Sequence, residues 1–279
     1  MLTKKQIQNI ANETTLANHL SDSDLLEFCI LANDSYRSGS PIVSDENYDF
    51  IFIPELQKRM PKHPFLQKVE SESEGFSDEK IKLPEKMLST DKAYTWGEIE
   101  KWLERISKFS EEINVQLSEI QIKGTAKLDG FAGYDDGKKL YTRGDGNKGS
   151  DISRVFQRGL GILNDSERGQ GPGEIVVKRS YFEDHLSNDF EYPRNFQASL
   201  IKEKELDKFA RDAIDAKAAL FVPFKQLPFW KGNIDEFKNQ FLDIVIKLEE
   251  GVDFDIDGVV FEIVNPELKE FMGSNRKFH

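Results

Sequence analysis

The segment running from Gln121 to Gly149, QIKGTAKLDGFAGYDDGKKLYTRGDGNKG, constrains the fold most. Glycine recurs in it every few residues, so no helix-length run survives. What remains are short strand-like pieces divided by turns. Tyr134-Asp135-Asp136-Gly137 predicts a hairpin, because Asp-Gly supplies the positive backbone angles such turns need. Further strands are expected at Gly173–Lys178 (GEIVVK) and Asp257–Val264 (DGVVFEIV). A largely antiparallel sheet follows.

Helical signals surround these strands. Thr95 and Glu98 form a T-x-x-E capping box. Ile99, Trp102, Leu103 and Ile106 follow at the spacing of one helix face. Leu25, Leu26, Cys29 and Ile30 mark another helix after Ser21. A third is expected from Ser44, with Pro54 kinking or ending it. Two more are expected around Lys204–Leu220 and Ile234–Glu250. The polar, acidic stretch Ser71–Glu79 reads as a linker. The expected fold class is α+β: a small helical N-terminal domain, residues 1–70, then residues 71–279 with mainly antiparallel sheets and surrounding helices.

Composition narrows the function. The single cysteine, Cys29, excludes a disulfide framework and a multi-cysteine zinc site within this chain. No apolar run approaches the ~18–20 residues of a membrane span, and no secretory signal opens the chain, so a cytoplasmic protein with no membrane partner is expected. The net charge of −12 opposes a phosphate backbone. Residues 121–150 run against that balance, with six Lys/Arg to four Asp/Glu.

The chemistry-bearing residues lie at strand ends. Lys127-Leu128-Asp129-Gly130 sets a lysine beside a carboxylate and a glycine. A lysine amine is a nucleophile only once desolvation or neighbouring cations lower its pKa. Alone, the tetrapeptide equally fits a surface lysine before a turn. Arg143 precedes the glycines of Gly144-Asp145-Gly146-Asn147-Lys148-Gly149, a pattern suited to a phosphate cradle or to a flexible loop with a solvated arginine. Glu174 and Asp257 each open a strand, where a carboxylate can hold a divalent cation or a ribose hydroxyl, or simply punctuate the strand.

The order of these pieces carries more than any one of them. K-x-D-G, R-G-D-G, G-E and D-G-V-V in succession resemble the signature of covalent nucleotidyltransferases, the DNA and RNA ligases and capping enzymes. The fuller resemblance is to bacterial and phage NAD-dependent DNA ligases. Met87-Leu88-Ser89-Thr90-Asp91-Lys92-Ala93-Tyr94 is similar to that family's P-M-L-S-L-D-N-A-F segment. Tyr192-Pro193-Arg194-Asn195-Phe196-Gln197-Ala198-Ser199-Leu200 is similar to its N-P-R-N-x-A-A-G-S-L segment. Tyr36 and Ile42–Asp49 resemble its small N-terminal domain.

The resemblance implies that Lys127 attacks NAD and keeps AMP, releasing nicotinamide mononucleotide, for transfer to the 5′-phosphate of nicked double-stranded DNA. It implies that Asp129 orients Lys127 and that Arg143 neutralises phosphate. Glu174 would hold the ribose, and Asp257, with Glu174, a Mg2+ ion. Arg194 would contact AMP or the nick, and Ser89 would belong to the cofactor site. Tyr36, Asp45, Tyr48 and Asp49 would form a lid over the nicotinamide half. Four positions depart from the pattern: Thr125 replaces a glutamate, Glu262 a lysine and Arg37 a histidine, and Lys202 stands in for a second arginine. The family's fifth motif and OB-fold are not found before His279. The expectation is therefore an excised part of a ligase, or one subunit of a split ligase whose second polypeptide supplies them. Two rival readings remain: an ATP-using ligase or capping-type enzyme, and a non-catalytic nucleotide- or nick-binding subunit.

Overall fold

The computed structural model describes residues 2–37, 41–44, 47–67, 80–87, 90, 92–203 and 205–272, with Arg37 described by its backbone alone. The expected linker Ser71–Glu79 lies outside the described residues.

The N-terminal helices carry their own core. Helix α1 (Lys4–Asn12) starts at a Thr3/Gln6 capping box. Before α2 (Asp22–Arg37), the Ser21 hydroxyl accepts the Asp24 N–H at 3.1 Å. Leu25, Phe28, Cys29 and Ala32 of α2 are buried against Phe52 and Leu56. Ser44 starts the next helical stretch, its side chain accepting the Asn47 N–H at 3.3 Å. That stretch opens as a π turn, Tyr48–Phe52, and continues as α3 (Ile53–Arg59). Pro54 does not end it. The proline sits in the first turn of α3, where a missing N–H costs little. It has no N–H to offer the Phe50 carbonyl, which accounts for the widened turn before it.

The larger part begins with β1 (Ile81–Lys82) and α4 (Trp96–Glu112), whose Thr95/Glu98 capping box forms as expected. Strands β2 (Gln121–Leu128), β3 (Phe131–Asp135), β4 (Leu140–Thr142), β5 (Lys148–Gly149), β6 (Gly161–Ile162), β7 (Gly171–Val177), β8 (Ala219–Pro223), β9 (Phe229–Asn233) and β10 (Ile256–Ile263) follow. They form a three-stranded sheet, β10-β2-β9, and a five-stranded sheet, β4-β3-β7-β8-β6, with β1 and β5 as a separate ribbon. Every pairing is antiparallel except β6–β8. The predicted hairpin joins β3 to β4, with Gly137 at φ +92°.

Ala126 and Leu128 of β2 meet Val176, Leu220 and Val222 of the five-stranded sheet, so the two sheets pack face to face. Helices α5 (Pro193–Lys202) and α6 (Lys208–Asp215) cover the far side of the larger sheet. Helices α4, α7 (Ile234–Glu250) and α8 (Pro266–Met272) pack against the smaller one. The helix expected to reach Leu220 stops at Asp215, and Leu220 lies in β8. Pairing with β7 and burial between layers override the helical tendency of its alanines. Among the described residues no helix is long and apolar enough to cross a membrane.

Candidate active site

The site forms where β2 hands over to β3. Lys127 lies one residue from the end of β2, opposite Gly258 on β10, and its ammonium pairs with the Asp257 carboxylate. The chain then crosses from one sheet to the other at Asp129-Gly130. The Asp129 N–H donates to the Asp255 carbonyl at 2.9 Å, which fixes the crossing. A Cβ on Gly130 would lie 2.3 Å from the Ile175 carbonyl oxygen and 2.8 Å from Cγ of Glu174, so only glycine fits this corner.

Asp129 is the hub. Its Oδ1 accepts the Tyr36 hydroxyl at 2.7 Å and Nη1 of Arg194 at 3.0 Å. Arg194 is buried in the first turn of α5, placed there by Pro193 at the helix start. It also donates to the Gly130 carbonyl, and its Nε donates to the Tyr36 carbonyl at 3.1 Å. Its guanidinium lies 4.0 Å from the Tyr36 ring centre and 4.6 Å from that of Phe131. One turn later, Gln197 Nε2 donates to the Asp129 carbonyl at 3.2 Å. Through Tyr36, the helical N-terminal part is thus closed onto the β2–β3 corner.

A cleft of about 420 Å³ opens here, lined among others by Tyr36, Asp49, Phe50, Asp129, Arg194 and Asp257. That volume suits part of a small-molecule ligand. Burial pushes the Asp257 carboxyl above its ordinary range; Lys127 opposes the shift and Asp129 adds to it. Asp255 is pushed up as well, by burial and then by Asp129. At the cleft wall, Lys92 Nζ holds both carboxylate oxygens of Asp49, at 2.7 and 2.5 Å. The Tyr94 ring meets Phe50 edge-on, with centroids 5.5 Å apart. Burial and then the Asp49 carboxylate push the Tyr94 hydroxyl up.

The structure therefore gathers Tyr36, Asp49, Lys127, Asp129, Arg194 and Asp257. It does not gather the rest. Tyr48 points into the helical core, where its hydroxyl donates to the Cys29 carbonyl at 3.2 Å. Arg143 follows β4 and donates from Nε to the Met87 carbonyl at 3.2 Å. Its glycine loop is no open cradle: Asp145 accepts the Asn147 and Lys148 N–H groups, and the Gly146 N–H turns back to the Arg143 carbonyl. Glu174 is buried on β7, opposite Ala132 and Val222, with its Cγ against the Gly130 corner, outside the lining of this cleft. Asp45 and Ser89 lie outside the described residues.

Two of the departures from the motif pattern lie on the smaller sheet. Thr125 of β2 sits opposite Val260 and Phe229. Glu262 of β10 accepts from Lys269 Nζ at 2.8 Å and lies 3.6 Å from Lys123 Nζ. Sequence reasoning assigned no role to Asp255, Gln197, Lys92 or Tyr94. Lys92 and Tyr94 stand in a segment already singled out, but nothing in it marks them as facing Asp49 and Phe50.

For a metal, no group of three His, Cys, Asp or Glu residues among the described ones could hold an ion. Asp257 is one of several cleft carboxylates, with Asp49, Asp129 and Asp255, that offer the hard oxygens Mg2+ takes alongside substrate phosphates.

Residues 76–218 match the family described as NAD-dependent DNA ligase adenylation domain. The chain is 58% identical over 262 residues to a DNA ligase of Ruthia magnifica subsp. Calyptogena magnifica, covering 94% of this chain and 43% of that protein. It is 56% identical over 279 residues to a DNA ligase of Vesicomyosocius okutanii subsp. Calyptogena okutanii, covering 100% and 44%. With a DNA ligase of Desulfotalea psychrophila it shares 48% over 276 residues, covering 99% and 40%. The chain spans about two-fifths of the length of these curated relatives.

Proposed function

Since this chain belongs to the NAD-dependent DNA ligase adenylation-domain family, we propose that it performs the adenylation step of nick sealing, with Lys127 as the nucleophile. The observation that carries the proposal is the Lys127–Asp257 pair beside a cleft closed by the Tyr36–Asp129–Arg194 hub.

In this reading Lys127 gives its ammonium proton to Asp257 Oδ2. Burial raises that carboxyl's affinity for a proton, which suits the transfer. The free amine forms a bond to the α-phosphorus of NAD, and the bond from that phosphorus to the bridging oxygen breaks. Nicotinamide mononucleotide leaves with the electron pair. Asp129 acts as a positioning group, tying the lid residue Tyr36 and Arg194 to the strand that carries Lys127. Mg2+ bound to the substrate phosphates would supply neutralisation of the charge on the leaving phosphate, and Asp257 would hold it only until that carboxylate takes the proton. Glu174 as a ribose-holding group and Arg143 as a phosphate-neutralising group belong to the same proposal. Passing the adenylate to the 5′-phosphate of nicked DNA is the proposed second step.

Intact-mass spectrometry tests the reading. The chain is measured untreated, with NAD and Mg2+, and with ATP and Mg2+. One added AMP with NAD alone, abolished by Lys127→Ala, is the expected result. An adduct formed from ATP would favour the ATP-using class, and labelling that survives Lys127→Ala would overturn the site.

A further inference from the structure

The cleft poses an electrostatic problem that its lining residues do not solve. Asp49, Asp129, Glu249, Asp255 and Asp257 all line it, and among the described lining residues Arg194 is the sole cation. Arg194 is buried and committed to Asp129 and to the Gly130 and Tyr36 carbonyls. Lys127 must shed its charge to act as a nucleophile. Glu262 brings no positive charge, and its carboxylate is held by Lys269 and Lys123. A dinucleotide whose two phosphates are anionic would enter a field of its own sign.

Lys92 answers this. Its ammonium sits on Asp49, a wall residue of the same cleft, and its side chain is 55% exposed, so it can leave that carboxylate without disturbing a packed core. Its charge is felt at Asp257, within electrostatic reach of the Lys127 pair. Resting on the adenylation reading above, we propose that Lys92 is a further phosphate-binding residue of this site. It exchanges the Asp49 carboxylate for the diphosphate of the dinucleotide substrate and supplies the cation that the cleft lining lacks. Asp49 in this arrangement is a placeholder that keeps Lys92 pointed at the cleft until substrate arrives.

The test compares the whole chain carrying Lys92→Ala, Lys92→Gln or Lys92→Arg with the parent. The readout is the apparent KM for NAD in single-turnover AMP labelling. Without the charge-assisted hydrogen bond from Lys92 to phosphate, KM should rise by about ten- to a hundredfold in Lys92→Ala and Lys92→Gln. Lys92→Arg should stay near the parent, and melting temperatures should barely move, because exposed pairs contribute little to stability. Binding of adenosine, which lacks the diphosphate, separates the proposal from a purely structural latch. Lys92→Ala should weaken NAD binding and leave adenosine binding unchanged; loss of a latch that shapes the cleft would weaken both alike. An unchanged KM in Lys92→Ala, or an equal loss of adenosine and NAD binding, overturns the proposal. Normal labelling of the parent with an unaffected Lys92→Ala sinks this inference alone. A parent that never takes AMP from NAD sinks the adenylation reading, and calorimetric binding of NAD to parent and Lys92→Ala then decides the Lys92 assignment separately.

Discussion

Arg194→Lys keeps a positive charge and removes a shape, so it isolates what the guanidinium does. Arg194 serves three acceptors at once: Asp129 Oδ1 at 3.0 Å, the Tyr36 carbonyl at 3.1 Å, and the Gly130 carbonyl. A lysine ammonium is a single point on a flexible stem and cannot span all three. It can keep Asp129 and one neighbouring carbonyl. The remaining carbonyl loses a charged donor, at about 1.5–3 kcal/mol. The flat stacking on the Tyr36 ring goes too, at about 0.5–1 kcal/mol. The side chain is only 7% exposed, so water offers little replacement. The sum is about 2–4 kcal/mol, which at roughly 2–4 °C per kcal/mol lowers the melting temperature by about 4–16 °C. Part of this appears as opening of the N-terminal helices, since Tyr36 belongs to α2. Thermal melts and AMP labelling from NAD, run side by side, should both show a loss. A melting temperature within about 1 °C of the parent, with unchanged labelling, would refute the hub.

Two further outcomes follow from the electrostatics. Burial pushes the Cys29 thiol up to about 12, so the folded protein holds a proton that the unfolded chain releases near 9. Stability should therefore fall as pH rises across that window, and iodoacetamide at pH 8 should modify Cys29 only after unfolding; labelling of the native protein at a free-thiol rate would contradict this. Glu262→Lys would place a third ammonium beside Lys123 and Lys269. These side chains are well exposed, so the cost should be only about 0.5–1 kcal/mol and should shrink in salt. Adenylation should be no faster, and a rate gain would place position 262 at the phosphates.

Much of the layered architecture was legible because its signals are local. The Thr95/Glu98 box fixes the start of α4, and the Asp-Gly turn fixes the β3–β4 hairpin. The order of strand-end motifs marked Lys127, Asp129 and Asp257, the family-like segment from Tyr192 to Leu200 marked Arg194, and these four do converge. What failed depended on tertiary partners. Leu220 follows an alanine-rich helix, and only pairing with β7 makes it a strand residue. The loop after Arg143 contains the right glycines for an anion cradle, but Asp145 takes its N–H groups. Tyr48 and Asp49 are adjacent, yet the turn of the backbone sends one into the helical core and the other to the cleft. No spacing rule distinguishes them beforehand, because the π turn there does not keep a 3.6-residue period.

The Gly130 corner bears on how such chains are judged alive or dead. Its glycine is demanded by the Ile175 carbonyl and the Glu174 side chain, which leave no space for a methyl group. A descendant that had abandoned chemistry would still need it to keep two sheets in register. Lys127, by contrast, is partly exposed and pairs only at its tip, so drift could erase it with little damage to folding. Within the same tetrapeptide, then, the last letter reports on architecture and the first on catalysis. A surveyor sorting working transferases from relics should score the lysine and disregard the glycine.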